Sequence, residues 1–277
     1  MSDQRTTHSA RSDDAPVIEV HDLVKSFDGR VVLDGISLQV RKGETLVIMG
    51  GSGCGKSTLL RHMIGVHKPD SGVCKILGQD IATLSYEELS DLRKRFGVLF
   101  QSGALYNSLT VGENVALPMR EHTDLDENII GIMVKMKLEL VGLRGFDHLK
   151  PAEISGGMQK RVGLARAIAL DPEILFYDEP TAGLDPIVGG VITQLIADLS
   201  GKLGVTSVVV THDMISAFAV ADRMVMLYQG KIVESGTPED IRHTDNPLAK
   251  QFVTGAVDGP IPLRQSLTDY AQDLLAE

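Results

Sequence analysis

The chain has 277 residues, a formal net charge of −10, 43% apolar and 23% charged residues. That is enough chain for one large or two modest domains with a real core, and the acidic balance argues against a nucleic-acid partner, whose phosphates need a cationic face. No run nears 18 uninterrupted apolar residues, so no transmembrane helix is expected; with only Cys54 and Cys74 there is no disulfide framework, which points to a reducing, cytosolic compartment.

In chain order, residues 1–15 read as a disordered leader, polar and without the apolar centre of a secretory signal. Residues 17–24 and 31–40 alternate and are β-branched, with Asp28-Gly29 between them as a hairpin turn. Residues 45–49 form an apolar run of the buried-strand type, a Gly-rich loop follows, and 57–66 read as a helix. Residues 73–77 and 96–100 add strands. From about 102 to 170 the pattern turns helical, most clearly over 128–141 and 158–170. Residues 173–177, 205–210 and 223–227 return to strands, with helices over 186–203 and 214–221 between them. This order predicts an α/β fold with a mainly parallel core and an inserted helical subdomain. One domain is expected over 16–245, followed by an extension over 246–277. The extension has two readings. Its Gly259-Pro260-Ile261-Pro262 favours a mobile end, whereas Phe252, Ile261, Leu263, Tyr270, Leu274 and Leu275 favour docking on a partner.

Gly50-Gly51-Ser52-Gly53-Cys54-Gly55-Lys56-Ser57 satisfies G-x-x-x-x-G-K-[ST] and sits between a strand and a helix that opens with Ser57-Thr58. Glycines let such a loop fold into a nest of N–H groups aimed at phosphate oxygens, and the helix adds its positive end. Lys56 would reach the β/γ-phosphates and Ser57 would offer its hydroxyl to Mg²⁺. Ile174-Leu175-Phe176-Tyr177-Asp178-Glu179 is an apolar strand ending in two carboxylates. Asp178 there can hold Mg²⁺, and Glu179 can orient and polarise an attacking water. His212 also ends a buried-type strand, where it either bonds the γ-phosphate region or is a core or capping histidine. Gln101, after the 96–100 strand, can sense Mg²⁺ and water, or is a plain surface glutamine. Phe27 can stack on adenine, or is a packed core residue.

Ser155-Gly156-Gly157 precedes a helix, and Ser155 is a good N-cap. One reading ends there. The other makes this a second anion-binding helix N-terminus. The chain's own phosphate loop already grips a phosphate elsewhere, so this turn would act on the ATP of a second copy.

Together these residues resemble the nucleotide-binding domain of ABC transporters, over about 17–241. By that resemblance Gly50 to Ser57 match Walker A, Gln101 the Q-loop, Ser155 to Gly157 the signature, and Asp178 the Walker B aspartate. Glu179 matches the catalytic glutamate, Ala182-Gly183-Leu184-Asp185 the D-loop, and His212 the switch histidine. The signature usually reads Leu-Ser-Gly-Gly-Gln, whereas Ile154 and Met158 stand at its outer positions here. Further matches resemble the Mla/Mce-associated lipid-transport ATPases: Phe100-Gln101-Ser102-Gly103-Ala104-Leu105-Tyr106, Leu117-Pro118-Met119-Arg120-Glu121-His122-Thr123, Ser155-Gly156-Gly157-Met158 and Asp258-Gly259-Pro260-Ile261-Pro262.

The resemblance implies a P-loop ATPase with a RecA-like parallel core, an antiparallel β subdomain and the inserted α-helical subdomain. It implies ATP and Mg²⁺ as cofactors and a homodimer with composite sites. It places the chain at the cytoplasmic face of an inner membrane, under an MlaE-like permease. A small MlaB-like STAS-domain protein and an MlaD-like MCE lipid-binding ring would complete the assembly, which would move phospholipid between inner and outer membranes. The edge at 103–111 mixes apolar and small side chains, and either forms a groove for a permease helix or simply packs the subdomain. Another ABC import or export system, such as lipoprotein release, is the runner-up.

Overall fold

The structure is a computed structural model and describes residues 15–262. The leader expected over 1–15 lies almost wholly outside the described residues, as do Leu263, Tyr270, Leu274 and Leu275 of the tail.

Strands β1 (Ile18–Phe27) and β2 (Arg30–Val40) pair as a hairpin. Asp28 and Gly29 turn it with φ of 49° and 79°, the positive pair that a tight turn between twisted strands needs. Then come β3 (Thr45–Met49), α1 (Lys56–Met63), β4 (Ser71–Ile76), β5 (Gln79–Asp80), α2 (Tyr86–Arg93) and β6 (Phe96–Leu99). The helical block holds α3 (Val111–His122), α4 (Glu127–Leu140), a short turn of 3-10 helix (Pro151–Glu153) and α5 (Gly156–Ala167). The chain returns through β7 (Ile174–Asp178), α6 (Pro186–Leu203), β8 (Thr206–Thr211), α7 (Met214–Val220), β9 (Arg223–Tyr228), β10 (Lys231–Gly236), α8 (Pro238–Arg242) and α9 (Pro247–Thr254).

The strands form two sheets. One runs β2-β1-β4-β5 and is antiparallel; the other runs β10-β9-β3-β8-β7-β6 and is parallel except at β10. Every residue of β3 is buried, because side chains alternate between two cores. Leu46 and Ile48 join Phe176, Val208 and Val210 in the layer against the antiparallel sheet. Val47 and Met49 join Leu175, Tyr177 and Val209 in the layer that reaches the helical block. Each such side chain contributes about 1.5–3 kcal/mol, so the central strands hold their register firmly. Their shared carboxyl edge is therefore a rigid platform.

α2, β5, β10, α8 and α9 are additions to the predicted elements. α2 begins with a capping box, Ser85 to Glu88. α9 starts on Asn246-Pro247 and stops at Gly255 with φ 66°. Beyond it the chain folds back on itself. The Gln251 amide bonds the backbone of Ile261 on both sides, at 2.7 and 3.2 Å, and Ile261 packs against the core.

Candidate active site

The loop after β3 sits at the carboxyl edge of the parallel sheet, between the ends of β9 and β8. Gly50 has φ 149°, and a Cβ there would lie 2.3 Å from the Leu227 carbonyl oxygen, so only glycine fits. Gly55 caps α1 in the left-handed region. Ser52 and Gly53 are exposed, while Cys54 is buried and burial pushes its thiol pKa up. Lys56 is only 7% exposed. Its ammonium curls into the loop and donates to the carbonyls of Gly50 (2.7 Å) and Gly51 (3.1 Å). Thr58, two residues on, accepts from His62 Nδ1 through its carbonyl.

Ser57 Oγ donates to Asp178 Oδ1 at 3.1 Å, joining the start of α1 to the end of β7. Burial raises the Asp178 pKa above the ordinary 3.8; the Ser57 bond opposes this and the Glu179 charge adds to it. A raised carboxyl pKa means that the ionised form costs the fold stability. That cost is absent below pH 3.8 and is full above the raised value. We therefore expect Asp178→Asn to raise the melting temperature of the ligand-free chain at pH 7.5, by about 2–4 °C for each kcal/mol recovered. Calorimetry without nucleotide checks this; a lowered melting temperature would contradict it.

Glu179 holds φ 49°, a left-handed conformation that costs a non-glycine residue about 1–3 kcal/mol. β7 and β8 enforce it. Asp178 lies opposite Val210, and the Glu179 N–H donates to the Val210 carbonyl at 2.8 Å. The same register brings His212 alongside. His212 Nδ1 lies 2.8 Å and its backbone N–H 3.4 Å from Glu179 Oε2. A carboxylate only accepts, so Nδ1 carries the hydrogen and Nε2 is left free. Lys56 Nζ is 3.9 Å from Glu179 Oε1. Lys56, Ser57, Asp178, Glu179 and His212 thus form one connected cluster.

The remaining expected residues lie around it. Gln101 is exposed just beyond β6, and the Leu99–Tyr177 register carries it to the level of Glu179. Phe27 is 39% exposed and stands edge-on to His67 at 5.4 Å. Ser155 accepts from the Met158 N–H at 3.3 Å and caps α5. Ser155 and Gly156 are exposed, whereas a Cβ on Gly157 would meet Val188 at 2.3 Å. Met158 packs against the chain's own core, and it is Gln159 that braces the preceding turn through Pro151. Asp185 caps α6 through the N–H groups of Ile187 and Val188. No hydrogen bond among the described residues joins 155–157 to the phosphate loop. Beside the segment after Gln101, a groove of about 560 Å³ is lined by Phe100, Ala104, Tyr106, Leu117 and Arg166. Arg166 pins its wall by donating to the Gly103 and Ala104 carbonyls.

Lys160 escaped the sequence reading. It is a buried lysine on α5, and it grips the backbone just past Glu179.

The family model for ABC transporters matches residues 33–182. The intermembrane phospholipid transport system ATP-binding protein MlaF of Haemophilus influenzae is 46% identical over 258 residues, spanning 93% of this chain and 98% of its own. The chain belongs to the ABC transporter family. MlaF of Escherichia coli K12 is 44% identical over 94% of this ABC chain and 97% of its own. The probable ribonucleotide transport ATP-binding protein mkl of Mycobacterium leprae is 43% identical, over 90% of this chain but 72% of its own. Two solved ABC proteins share the fold. A dimeric cassette bound to ADP and phosphate superposes with a TM-score of 0.75 at 32% identity, over 80% of this chain and 98% of its own. CbiO1 of Clostridium perfringens gives 0.77 at 29%, over 86% and 95%. This ABC chain binds and hydrolyses ATP, and its parallel core, antiparallel sheet and inserted helices are those the motifs implied.

Proposed function

We propose that the chain is the ATP-hydrolysing subunit of an inner-membrane ABC transporter that moves phospholipid between inner and outer membranes and so maintains outer-membrane lipid asymmetry. The observation that carries the cargo is the match to MlaF along nearly the whole of both chains. The mkl match leaves more than a quarter of that protein uncovered and is the weaker guide to cargo.

The chemistry is built from the cluster. The loop N–H groups and Lys56 hold the β- and γ-phosphates once the ammonium leaves the Gly50 and Gly51 carbonyls. Ser57 and Asp178, already 3.1 Å apart, suit a shared divalent cation. Among the described residues no three His, Cys, Asp or Glu side chains converge on one point. Mg²⁺ would therefore draw its other ligands from nucleotide, water and Gln101, and it would supply charge neutralisation between the phosphates. Glu179 takes the proton of the attacking water, with His212 fixing its carboxylate and facing the γ-phosphate. Phe27 offers its open face to adenine.

Ser155, Gly156 and Gly157 then serve a second copy's nucleotide, with Asp185 near that junction, so the working unit is a homodimer. The dimeric cassette bound to ADP and phosphate supports this reading. Among the described residues no helix is long and apolar enough to cross a membrane. Force must reach a separate protein, and the groove beside Ala104 and Tyr106 is proposed to seat a helix of the MlaE-like permease. The exposed apolar row Ile129, Ile132, Met136 and Leu140 on α4 is the kind of surface that a further partner covers. An MlaB-like STAS protein and an MlaD-like ring are the partners expected, with the whole held at the cytoplasmic face of the inner membrane.

A mild-detergent pull-down of the full chain from its native membranes tests the assignment. A permease, a STAS protein, an MCE protein and bound phospholipid are expected. Recovery of a complete lipoprotein-release or nucleotide-transport assembly in their place would overturn it.

A further inference from the structure

We propose that Lys160 is a positioning residue that locks the 179–185 turn to the helix carrying Ser155, so that the hydrolytic carboxylate and the signature turn move together. The proposal rests on the ATPase reading of Glu179.

Lys160 lies on α5, five residues after Ser155, and is 5% exposed. Its ammonium donates to the carbonyls of Pro180 (2.9 Å) and Ala182 (2.5 Å) and lies 3.5 Å from that of Glu179. Three donors meet three acceptors of one tight turn. Among the described residues no carboxylate pairs with it directly. Burial lowers its pKa while the nearby Glu179 charge raises it. A buried cation is expensive unless well satisfied, and here, among the described residues, only the backbone of this turn satisfies it. The arrangement therefore depends on α5 and the turn keeping their relative position.

Two further features point the same way. Gly157, at the start of α5, leaves no room for a Cβ against Val188, just after Asp185. The turn is thus clasped at both ends by α5. Glu179 itself sits in a left-handed conformation that surrounding contacts must enforce. The Val210 bond holds its N–H side, and Lys160 holds its carbonyl side. A phosphate gripped at Ser155 would displace α5, and Lys160 would carry that displacement to Glu179 of the same chain.

The test uses the full chain with Lys160→Met, which keeps the stem and loses the donors, and Lys160→Gln, which keeps two donors. Lys160→Met is expected to lower kcat about tenfold or more with KM for ATP within about twofold, and Lys160→Gln to recover most of the loss. In Lys160→Met the amides of Ala182 and Leu184, which close the turn at 3.2 Å each, should exchange hydrogen about tenfold faster or more, with the Leu59 amide unchanged. Unchanged kcat, unchanged exchange, or equal kcat losses in both variants would overturn the proposal. Should Lys160→Met fail to fold, Lys160→Gln is read alone: exchange at both amides about threefold faster supports the proposal, and unchanged exchange overturns it. Normal turnover by Glu179→Gln would remove the underlying reading and this proposal with it. An inactive Glu179→Gln beside a fully active Lys160→Met would remove the lysine's part alone.

Discussion

Glu179→Gln is expected to slow ATP turnover by about 10²–10⁴-fold and to leave ATP affinity within about twofold, because only the proton-accepting group is removed. The amide has the shape of the carboxylate, and its oxygen can still accept from His212 Nδ1 at 2.8 Å. The strained backbone is held by the Val210 bond, which the substitution does not touch. Lys56, proposed to hold the phosphates, loses only a partner at 3.9 Å and should bind nucleotide unimpaired. Steady-state turnover and equilibrium binding of a fluorescent ATP separate the two effects. Near-normal hydrolysis would count against Glu179 as the group that takes the proton.

Ser155→Asp is the second large effect. Aspartate is as good an N-cap as serine, so α5 should form as before and the Met158 N–H should stay satisfied. What changes is charge. A carboxylate about 4 Å from a phosphate costs about 4 kcal/mol at an effective dielectric of 20, close to a thousandfold. Turnover should therefore collapse while the chain's own phosphate loop, which makes no hydrogen bond to 155–157, keeps its affinity for ATP. Loss of nucleotide binding in parallel with loss of turnover would argue that the two motifs of one chain share one ligand.

The fold was legible where side chains alone decide it. β3, β7 and β8 are buried on both faces and each carries a continuous apolar stretch, and the turns at their carboxyl ends carry the motif residues. The pairing of Glu179 with His212 was not visible. It depends on β7 and β8 lying side by side with Asp178 opposite Val210, which no local pattern states. α2 and α9 were missed although their caps were present. Ser85 and Glu88 cap the start of a helix of eight residues, too short for a clear period, and the Gly-Pro stretch after Gly255 masked the short α9 before it. Lys160 was hidden for a different reason. Its partners are backbone carbonyls, and a carbonyl leaves no mark in sequence.

The central claim is that each ATP site is finished by a second chain, and mixing two inactive variants tests it most directly. Lys56→Ala spoils a chain's phosphate grip and leaves its signature turn; Ser155→Asp does the reverse. Each homodimer then has two broken sites. A mixed dimer has one site with both faults and one with neither. The account predicts that combining the two inactive proteins restores ATP turnover. A mixture no more active than either variant alone would contradict it.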